Sequence, residues 1–237
     1  MIAIIGALPE EVQALQQQIK EPQITECGSR RFVRGKLAGG DVVVTVSGVG
    51  KVNAASVAQQ VIDLFRPKAV INTGIAGGLD EKLSLGDIVI SRDAVQHDVD
   101  TTVFGEEPGQ IPDMDVWQFP ADEELIHAAV TAGVKAEADS EFRGEVHIGR
   151  ILSGDIFLTD EAKKKALREI FDGTCVEMEG AAIAQVAWLN QVPWVISRCI
   201  SDQADDPDVT DYFAFKQEAI AISVKMVMTM LQEYHTE

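Results

Sequence analysis

Basic residues are scarce in this sequence. Its 237 residues include 20 Lys and Arg against 38 Asp and Glu, which leaves a formal net charge of −18. Proteins that bind nucleic acid or an anionic membrane surface need a basic face, so this charge argues against both partners. A neutral or cationic small molecule is a better match.

Cysteines and long apolar runs are also few. The three cysteines, Cys27, Cys175 and Cys199, lie in or beside apolar segments without metal-ligand spacing, which predicts free thiols in a reducing compartment and no bound metal. No apolar run is long enough to span a bilayer. The apolar residues 1–6 lack the basic region and the length of a signal peptide, so we expect a cytoplasmic protein.

The sequence does contain a regular alternation of apolar segments. Hydrophobic residues make up 46% of the chain, and no repeat or low-complexity linker divides it, which predicts one domain over residues 1–237. Alternating strand and helix patterns predict an α/β fold, a three-layer α/β/α sandwich with a mixed central sheet. The predicted strands include residues 2–6, 41–46, 69–73, 87–91, 145–152 and 194–200, and the predicted helices include 9–19, 51–65, 121–132 and 212–232, with others from about 160 and 180.

Two glycine-rich segments follow predicted strands. Residues 47–53 resemble a dinucleotide-binding fingerprint, but Asn53 stands at the third glycine position, and Val52 replaces the Ser or Thr of a P-loop. We interpret this segment as a tight turn whose backbone approaches a ligand, with a simple turn as the alternative. Residues 74–78 hold three glycines and indicate a second close approach.

Acidic residues stand at the ends of several predicted elements. Glu10 and Glu11 follow the first strand, Glu177 and Glu179 precede an almost wholly apolar helix, and Asp202 follows the last strand. Each has a structural alternative, since acids in a first turn or at a cap stabilise helices. We favour a functional role for Glu179, whereas Glu177 is expected to support the structure.

These acids predict acid–base chemistry, because no nucleophilic cysteine, metal cluster or serine elbow is evident. Cleavage of an N-glycosidic bond needs one acid to protonate the departing base and one carboxylate to assist water. Burial and neighbouring carboxylates would give Asp202 the raised pKa of a proton donor.

Two further segments have open interpretations. Phe157 lies in a turn, where its ring either stacks on a flat ligand or fills the core. Residues 93–120 form a long segment that is expected to be functional or part of an interface. For His97 within it, a structural histidine is favoured over a metal ligand or a base.

Five motifs together resemble one family. They are SGVGKV at 47–52, NTGIAGG at 72–78, GDIV at 86–89, VEME at 176–179 and ISD at 200–202. Their order and spacing are similar to those of the 5'-methylthioadenosine/S-adenosylhomocysteine nucleosidases of the nucleoside phosphorylase superfamily. The resemblance implies a nucleoside phosphorylase-like fold, a homodimer, and cofactor-free hydrolysis of these adenosyl thioethers to adenine and a thioribose in methionine salvage.

The resemblance also implies roles for matching residues. Glu11 activates the attacking water, and Asp202, beside Ser201, protonates adenine. Glu179 holds the ribose hydroxyls with Met178 against the sugar, and Arg198 supports this polar end. The remaining implied substrate-binding residues are Phe157 and Leu158 at adenine, Ile75, Ala76 and Gly77 in the glycine-rich segment, Leu8, Val49 and Tyr212 at the alkylthio group, and Thr101, Phe104 and Pro112 from the partner of the homodimer.

Phosphorylases of this superfamily hold phosphate with arginines at the first turn and before the glycine-rich segment, and with a serine within it. Here Glu11, Asn72 and Ile75 stand at about those places, so phosphate would meet repulsion and water is the expected nucleophile. A cluster of Arg30, Arg31 and Arg34 is predicted to be a solvated strand edge.

Ile75 departs from the Ser or Thr that is common in the nucleosidases. This replacement would raise the pKa of Asp202 further or alter substrate preference.

The remaining alternative for the whole protein is a non-catalytic nucleoside- or dinucleotide-binding protein that uses the turn at Gly48 and Gly50.

Overall fold

The first strand shows how apolar patterning sets the architecture. In the computed structural model, which describes residues 1–138, 144–205 and 209–236, every residue of β1 (Ile2–Gly6) is buried. Its neighbours in the sheet cover it on both edges, as expected for a continuous apolar run. The other strands are β2 (Lys20–Cys27), β3 (Arg30–Leu37), β4 (Gly40–Val46), β5 (Ala69–Gly78), β6 (Ile88–Gln96), β7 (Phe119–Pro120), β8 (Val146–Ser153), β9 (Gly173–Glu177) and β10 (Trp194–Asp202).

The helices alternate with these strands along the chain. They are α1 (Pro9–Gln18), α2 (Lys51–Phe65), α3 (Glu123–Ala138), α4 (Glu161–Phe171), α5 (Gly180–Leu189) and α6 (Thr210–Thr236), with a short 3₁₀ turn at Thr102–Phe104. Across the described ranges, no helix combines the length and apolarity needed to cross a membrane.

The central sheet is mixed, as predicted. β5 pairs in parallel with β1 and β10 and antiparallel with β9. Because β10 also pairs with β6, and β6 connects through β8 to β9, these five strands close into a ring. β1, β4, β3 and β2 extend from β5 as an open arm.

Helices cover both faces of the sheet, which confirms the three-layer prediction. Ile2 and Ile4 of β1 pack in a core with side chains of α1, α3 and α6. Ala3 and Ile5, which alternate with them, pack in a second core with α2 and α5. Successive strand residues point to opposite faces, so one apolar strand serves both layers.

The sheet differs from the predictions at several points, among them β6, which continues to Gln96 inside the predicted long segment. β5 continues through the glycine-rich residues 74–78, because this stretch pairs with β10 and with Val176 of β9. β9, which ends three residues before α5 begins, was not among the predicted strands. Gly77 permits close packing within the protein, because a Cβ at this position would lie 2.8 Å from Cβ of Ala204.

This topology collects the ends of several strands. β1, β4, β5 and β10 run parallel to one another, so their carboxyl ends lie at one edge, where open α/β sheets place ligands. β9 meets β5 at Gly77 and Gly78 from the opposite direction. Its last residue, Glu177, therefore joins the same edge.

Candidate active site

A cavity of about 670 Å³, including its open mouth, lies at this edge of the sheet. Every charged side chain that lines it is a carboxylate. It is lined by Ala7, Leu8, Glu11, Val49, Ile75, Ala76, Gly77, Ile156, Phe157, Leu158, Val176, Glu177, Met178, Glu179, Ser201, Asp202, Ala204 and Tyr212. The predicted acids Glu11, Glu179 and Asp202 thus meet in one cavity, although they are far apart in sequence.

Glu11 lies at one end of the cavity, in the first turn of α1. Its Oε2 accepts 2.7 Å hydrogen bonds from the N–H groups of Ala7 and Leu8, and Oε1 accepts a 3.3 Å bond from Ile75 N–H. Burial raises the pKa of Glu11, while the nearby Arg198 opposes the rise. Glu10, by contrast, turns away from the cavity to Lys216 Nζ at 2.8 Å.

Arg198 lies beneath this end of the cavity and is 1% exposed. One guanidinium nitrogen donates to Asn72 Oδ1 at 2.7 Å and to Glu177 Oε2 at 2.5 Å. The other two nitrogens have no hydrogen-bond partner among the described residues. A Cβ on Gly74 would lie 2.5 Å from Glu11 Oε1 and 2.7 Å from Arg198 Nη1, so this glycine leaves room for the acid and the cation to face each other.

Glu177 has protein partners on both of its oxygens. Besides Arg198, it accepts bonds from Ser153 Oγ and from the N–H groups of Glu179 and Gly180 at the start of α5. These contacts use the unpaired N–H groups of a helix N-terminus. They agree with the expectation that Glu177 supports the structure.

Glu179 is the N-cap residue of α5, and its carboxylate extends to the start of a second helix. Its Oε1 accepts a 2.8 Å bond from the N–H of Gly50, which is the N-cap of α2. Burial and the adjacent Glu177 raise the pKa of Glu179 to about 7. The turn at residues 47–53 thus holds a site residue through its backbone.

Asp202 lies at the other end of the cavity, at the end of β10. Its Oδ2 accepts a 2.8 Å bond from Ser201 Oγ, and Oδ1 accepts a 2.9 Å bond from Ala204 N–H. Burial raises the pKa of Asp202, which keeps the carboxyl protonated to higher pH than usual. Ser201 Oγ also lies 3.3 Å from the carbonyl oxygen of Ala76.

An apolar wall joins the two ends. The Phe157 ring is 48% exposed and meets Tyr212 edge-on, with 5.2 Å between ring centroids. An aromatic ring that remains half open beside a cavity has a free face for a flat ligand. Leu8, Val49, Ile75, Leu158 and Met178 complete the predicted part of this wall.

Three predicted residues lie away from the cavity of this chain. Thr101 precedes the 3₁₀ turn, Phe104 ends it and is 82% exposed, and Pro112 follows on the same exposed segment. The prediction assigned all three to the partner of a homodimer.

Sequence reasoning missed several contacts around the site. Ala7, Ile156, Val176 and Ala204 line the cavity without a chemical signature that would have identified them. The prediction that Arg30 belongs to a solvated strand edge is wrong. Its guanidinium donates to Asn53 Oδ1 at 2.5 Å across the glycine-rich turn.

Comparisons with known proteins agree with this geometry. The sequence model described as the phosphorylase superfamily matches residues 1–234, and the chain belongs to this superfamily. The 5'-methylthioadenosine/S-adenosylhomocysteine nucleosidase of Geobacillus sp. (strain WCH70) is 42% identical over 231 residues, covering 97% of each chain. That of Staphylococcus haemolyticus (strain JCSC1435) is 40% identical over 233 residues, covering 98% of this chain and 99% of the relative.

A solved structure extends the likeness to the fold. The crystal structure of the 5'-methylthioadenosine/S-adenosylhomocysteine nucleosidase from Neisseria meningitidis, in complex with methylthio-immucillin-A, has a TM-score of 0.91 at 38% identity and covers 98% of both chains. The family resemblance and the nucleoside phosphorylase-like fold predicted from sequence are confirmed.

Proposed function

We propose that this protein hydrolyses the N-glycosidic bond of 5'-methylthioadenosine and S-adenosylhomocysteine, releasing adenine and 5-methylthioribose or S-ribosylhomocysteine. The observation that carries the proposal is the cavity with Asp202 at one end, Glu11 and Glu179 at the other, and no basic side chain among the described residues that line it. The names of the two relatives and the inhibitor in the Neisseria structure support the substrate class.

Asp202 serves the departing base. Its raised pKa lets the carboxyl hold a proton and deliver it to adenine N7, so that adenine leaves as a neutral molecule. Ser201 and the N–H of Ala204 fix the orientation of the carboxyl and accommodate the carboxylate that remains.

Glu11 and Glu179 serve the sugar. Glu11, held by three backbone N–H groups, accepts a proton from the water that attacks the anomeric carbon. Glu179 accepts hydrogen bonds from the ribose hydroxyls. Negative charge at this end favours the positive charge that develops on the sugar in an oxocarbenium-like transition state.

The apolar wall positions the rest of the substrate. The open face of Phe157 stacks on adenine, and the backbone of Leu158 meets the base edge. Leu8, Val49 and Tyr212 contact the alkylthio group, and Met178 packs against the sugar. No cofactor is needed for these steps, because two carboxyl groups carry both proton transfers.

Water is the nucleophile in this proposal. The described lining holds four carboxyl groups and no cation, and Arg198 is bonded to Glu177 and Asn72. A phosphate dianion would therefore meet repulsion from the carboxylates that line the cavity.

The test is adenine release from each substrate, measured by chromatography with and without phosphate. We expect equal rates and a free thioribose in both conditions. Strict dependence on phosphate with a sugar 1-phosphate product would establish a phosphorylase, and nucleotide binding without adenine release would establish a binding protein. Adenosines with other 5'-substituents, including futalosine-type nucleosides, define the preferred substrate in the same assay.

The proposal extends to a single-domain chain that works as a homodimer in the cytoplasm. Val103 and Phe104 are 85% and 82% exposed at the tip of the long segment, which supports their burial against a partner. Free Cys175 and Cys199 support a reducing compartment. Sedimentation at working concentration tests the homodimer, and a monomer with full activity would overturn it.

A further inference from the structure

The turn that follows β10 holds the carboxyl of Asp202 in place. Ala204 N–H donates to Asp202 Oδ1 at 2.9 Å, and Ala204 has a φ of +57°, in the left-handed region that residues with a Cβ rarely adopt. Ala204 is buried against Gly77. A turn with this strained residue keeps its shape only where surrounding contacts fix it.

Lys164 of α4 supplies such contacts on both sides of Ala204. Its Nζ donates to the carbonyl oxygen of Gln203 at 2.5 Å and to Asp205 Oδ2 at 2.8 Å. The Lys164 side chain is only 12% exposed, so water competes weakly for its ammonium group. One cation thus ties the residues before and after the strained position to a helix.

The other lysines of this helix have no comparable role. Lys163 is exposed, and Lys165, whose side chain is 77% exposed, meets only Glu169 at 4.0 Å among the described ion pairs. Arg168 lies one turn beyond Lys164 and pairs with Asp80 at 3.0 Å. Of the basic side chains of α4, Lys164 alone bonds the turn that carries Asp202 within the described part of the chain.

We propose that Lys164 is a positioning residue for proton transfer, holding the Asp202–Asp205 turn so that the Asp202 carboxyl points at the departing base. The inference rests on the proposed function, since it concerns the proton donor of that reaction. It adds a residue outside the cavity, which acts through the turn and touches no substrate.

The charges around Asp202 predict how the loss of Lys164 changes the pKa of Asp202. Burial raises the pKa of Asp202 most, and the carboxylates of Asp205 and Asp211 raise it further, whereas its two hydrogen bonds lower it. Loss of Lys164 removes a cation, frees the charge of Asp205 and loosens the bond from Ala204. All three changes move the pKa of Asp202 upward. The other charged groups facing this region are Glu11, Glu177 and Glu179 in the cavity and the Arg168–Asp80 pair on α4.

The test compares Lys164→Met with Lys164→Arg and with the matched control Lys165→Met, which makes the same change on the exposed side of the same helix. For Lys164→Met we expect kcat for adenine release to fall about tenfold or more with a smaller change in KM, because misplaced groups lose rate more than binding. The alkaline limb of its pH profile should move to higher pH. Lys164→Arg should recover most of the rate, and Lys165→Met should match the wild type.

A second variant keeps the inference testable if Lys164→Met folds poorly. Asp205→Asn removes the carboxylate but keeps the carbonyl contact, so we expect a smaller loss of kcat and an alkaline limb at lower pH. Unchanged kcat and pH profiles in folded Lys164→Met, or an equal loss in Lys165→Met, would overturn the inference. Absence of adenine release by the wild type would instead overturn the proposed function.

Discussion

The two ends of the cavity use the same functional group in opposite surroundings. At the base end, Asp202 has one hydroxyl and one N–H partner, and the carboxylates of Asp205 and Asp211 lie close enough to raise its pKa. At the sugar end, Glu11, Glu177 and Glu179 surround the buried Arg198, which interacts electrostatically with all three acids. Burial raises the pKa of acids at both ends, and at the sugar end Arg198 opposes that rise.

This difference shows how position in the fold assigns roles to carboxyl groups. A buried acid whose charged neighbours are carboxylates has a raised pKa and can act as a proton donor. Acids around a guanidinium and at helix N-termini gain partners for their ionised forms. The sugar end also divides its acids, since Glu177 is saturated by protein donors while Glu11 and Glu179 face the cavity.

The largest effect is expected at the base end. Asp202→Asn keeps the shape, and its amide oxygen can still accept from Ala204 N–H, but the amide cannot give up a proton, so we expect kcat for adenine release to fall about 10³-fold. Calorimetric binding of a non-cleavable 5'-methylthio nucleoside analogue should change little. Full activity in this variant would show that the base end does not protonate adenine.

Glu11→Gln tests the sugar end, with an expected fall of about 10²-fold in kcat because the attacking water loses its base. Burial raises the pKa of Glu11, so the acid limb of the wild-type pH profile should lie above pH 4.5 and disappear in the variant. Glu10→Gln is the matched control, since Glu10 bonds Lys216 outside the cavity. An equal loss in both variants would contradict the assignment.

Glu179→Gln is expected to stabilise the folded protein at alkaline pH, whereas the two preceding variants are expected to lower kcat. The pKa of Glu179 is raised to about 7 in the folded protein, so the folded state holds a proton that the unfolded state releases above pH 4.5. Stability is therefore lost as pH rises from about 4.5 to 7, by about 3 kcal/mol for this group. Chemical denaturation should find the variant more stable than wild type at pH 8 but not at pH 4.5.

A control for this stability measurement is again available on α1. The hydrogen bond from Lys216 lowers the pKa of Glu10, so Glu10→Gln removes a favourable ionised group and should not stabilise the protein at pH 8. If both Gln variants gain stability, the effect belongs to the net negative charge of the chain and not to the buried position of Glu179.

The acids that carry the chemistry could be predicted from the sequence because their positions depend on neighbouring residues. Glu11 follows a strand and a proline, and Asp202 ends an apolar strand, so each could be placed at the ligand-binding edge by pattern alone. The helix at residues 51–65 and the strand at residues 2–6 were predicted with the observed bounds for the same reason: apolar periodicity and helix starts are properties of neighbouring residues.

The supporting contacts could not be predicted because they join distant segments. Gly50 and Glu179 are 129 residues apart in sequence, and Lys164 meets Asp205 across 41 residues. β9 was missed since its pairing with β5 and β8, rather than its five-residue pattern, makes it a strand. Nothing local distinguishes Lys164 from Lys163 or Lys165.

The most direct test of the difference between the two ends uses a substrate that needs no protonation. In a 5-methylthioriboside of 4-nitrophenol, the leaving group departs as a stable anion, while water must still attack the sugar. We predict that Asp202→Asn releases 4-nitrophenolate within about tenfold of the wild-type rate and that Glu11→Gln remains about 10²-fold slower. Equal losses in the two variants on this substrate would contradict the separation of proton donor and water activation.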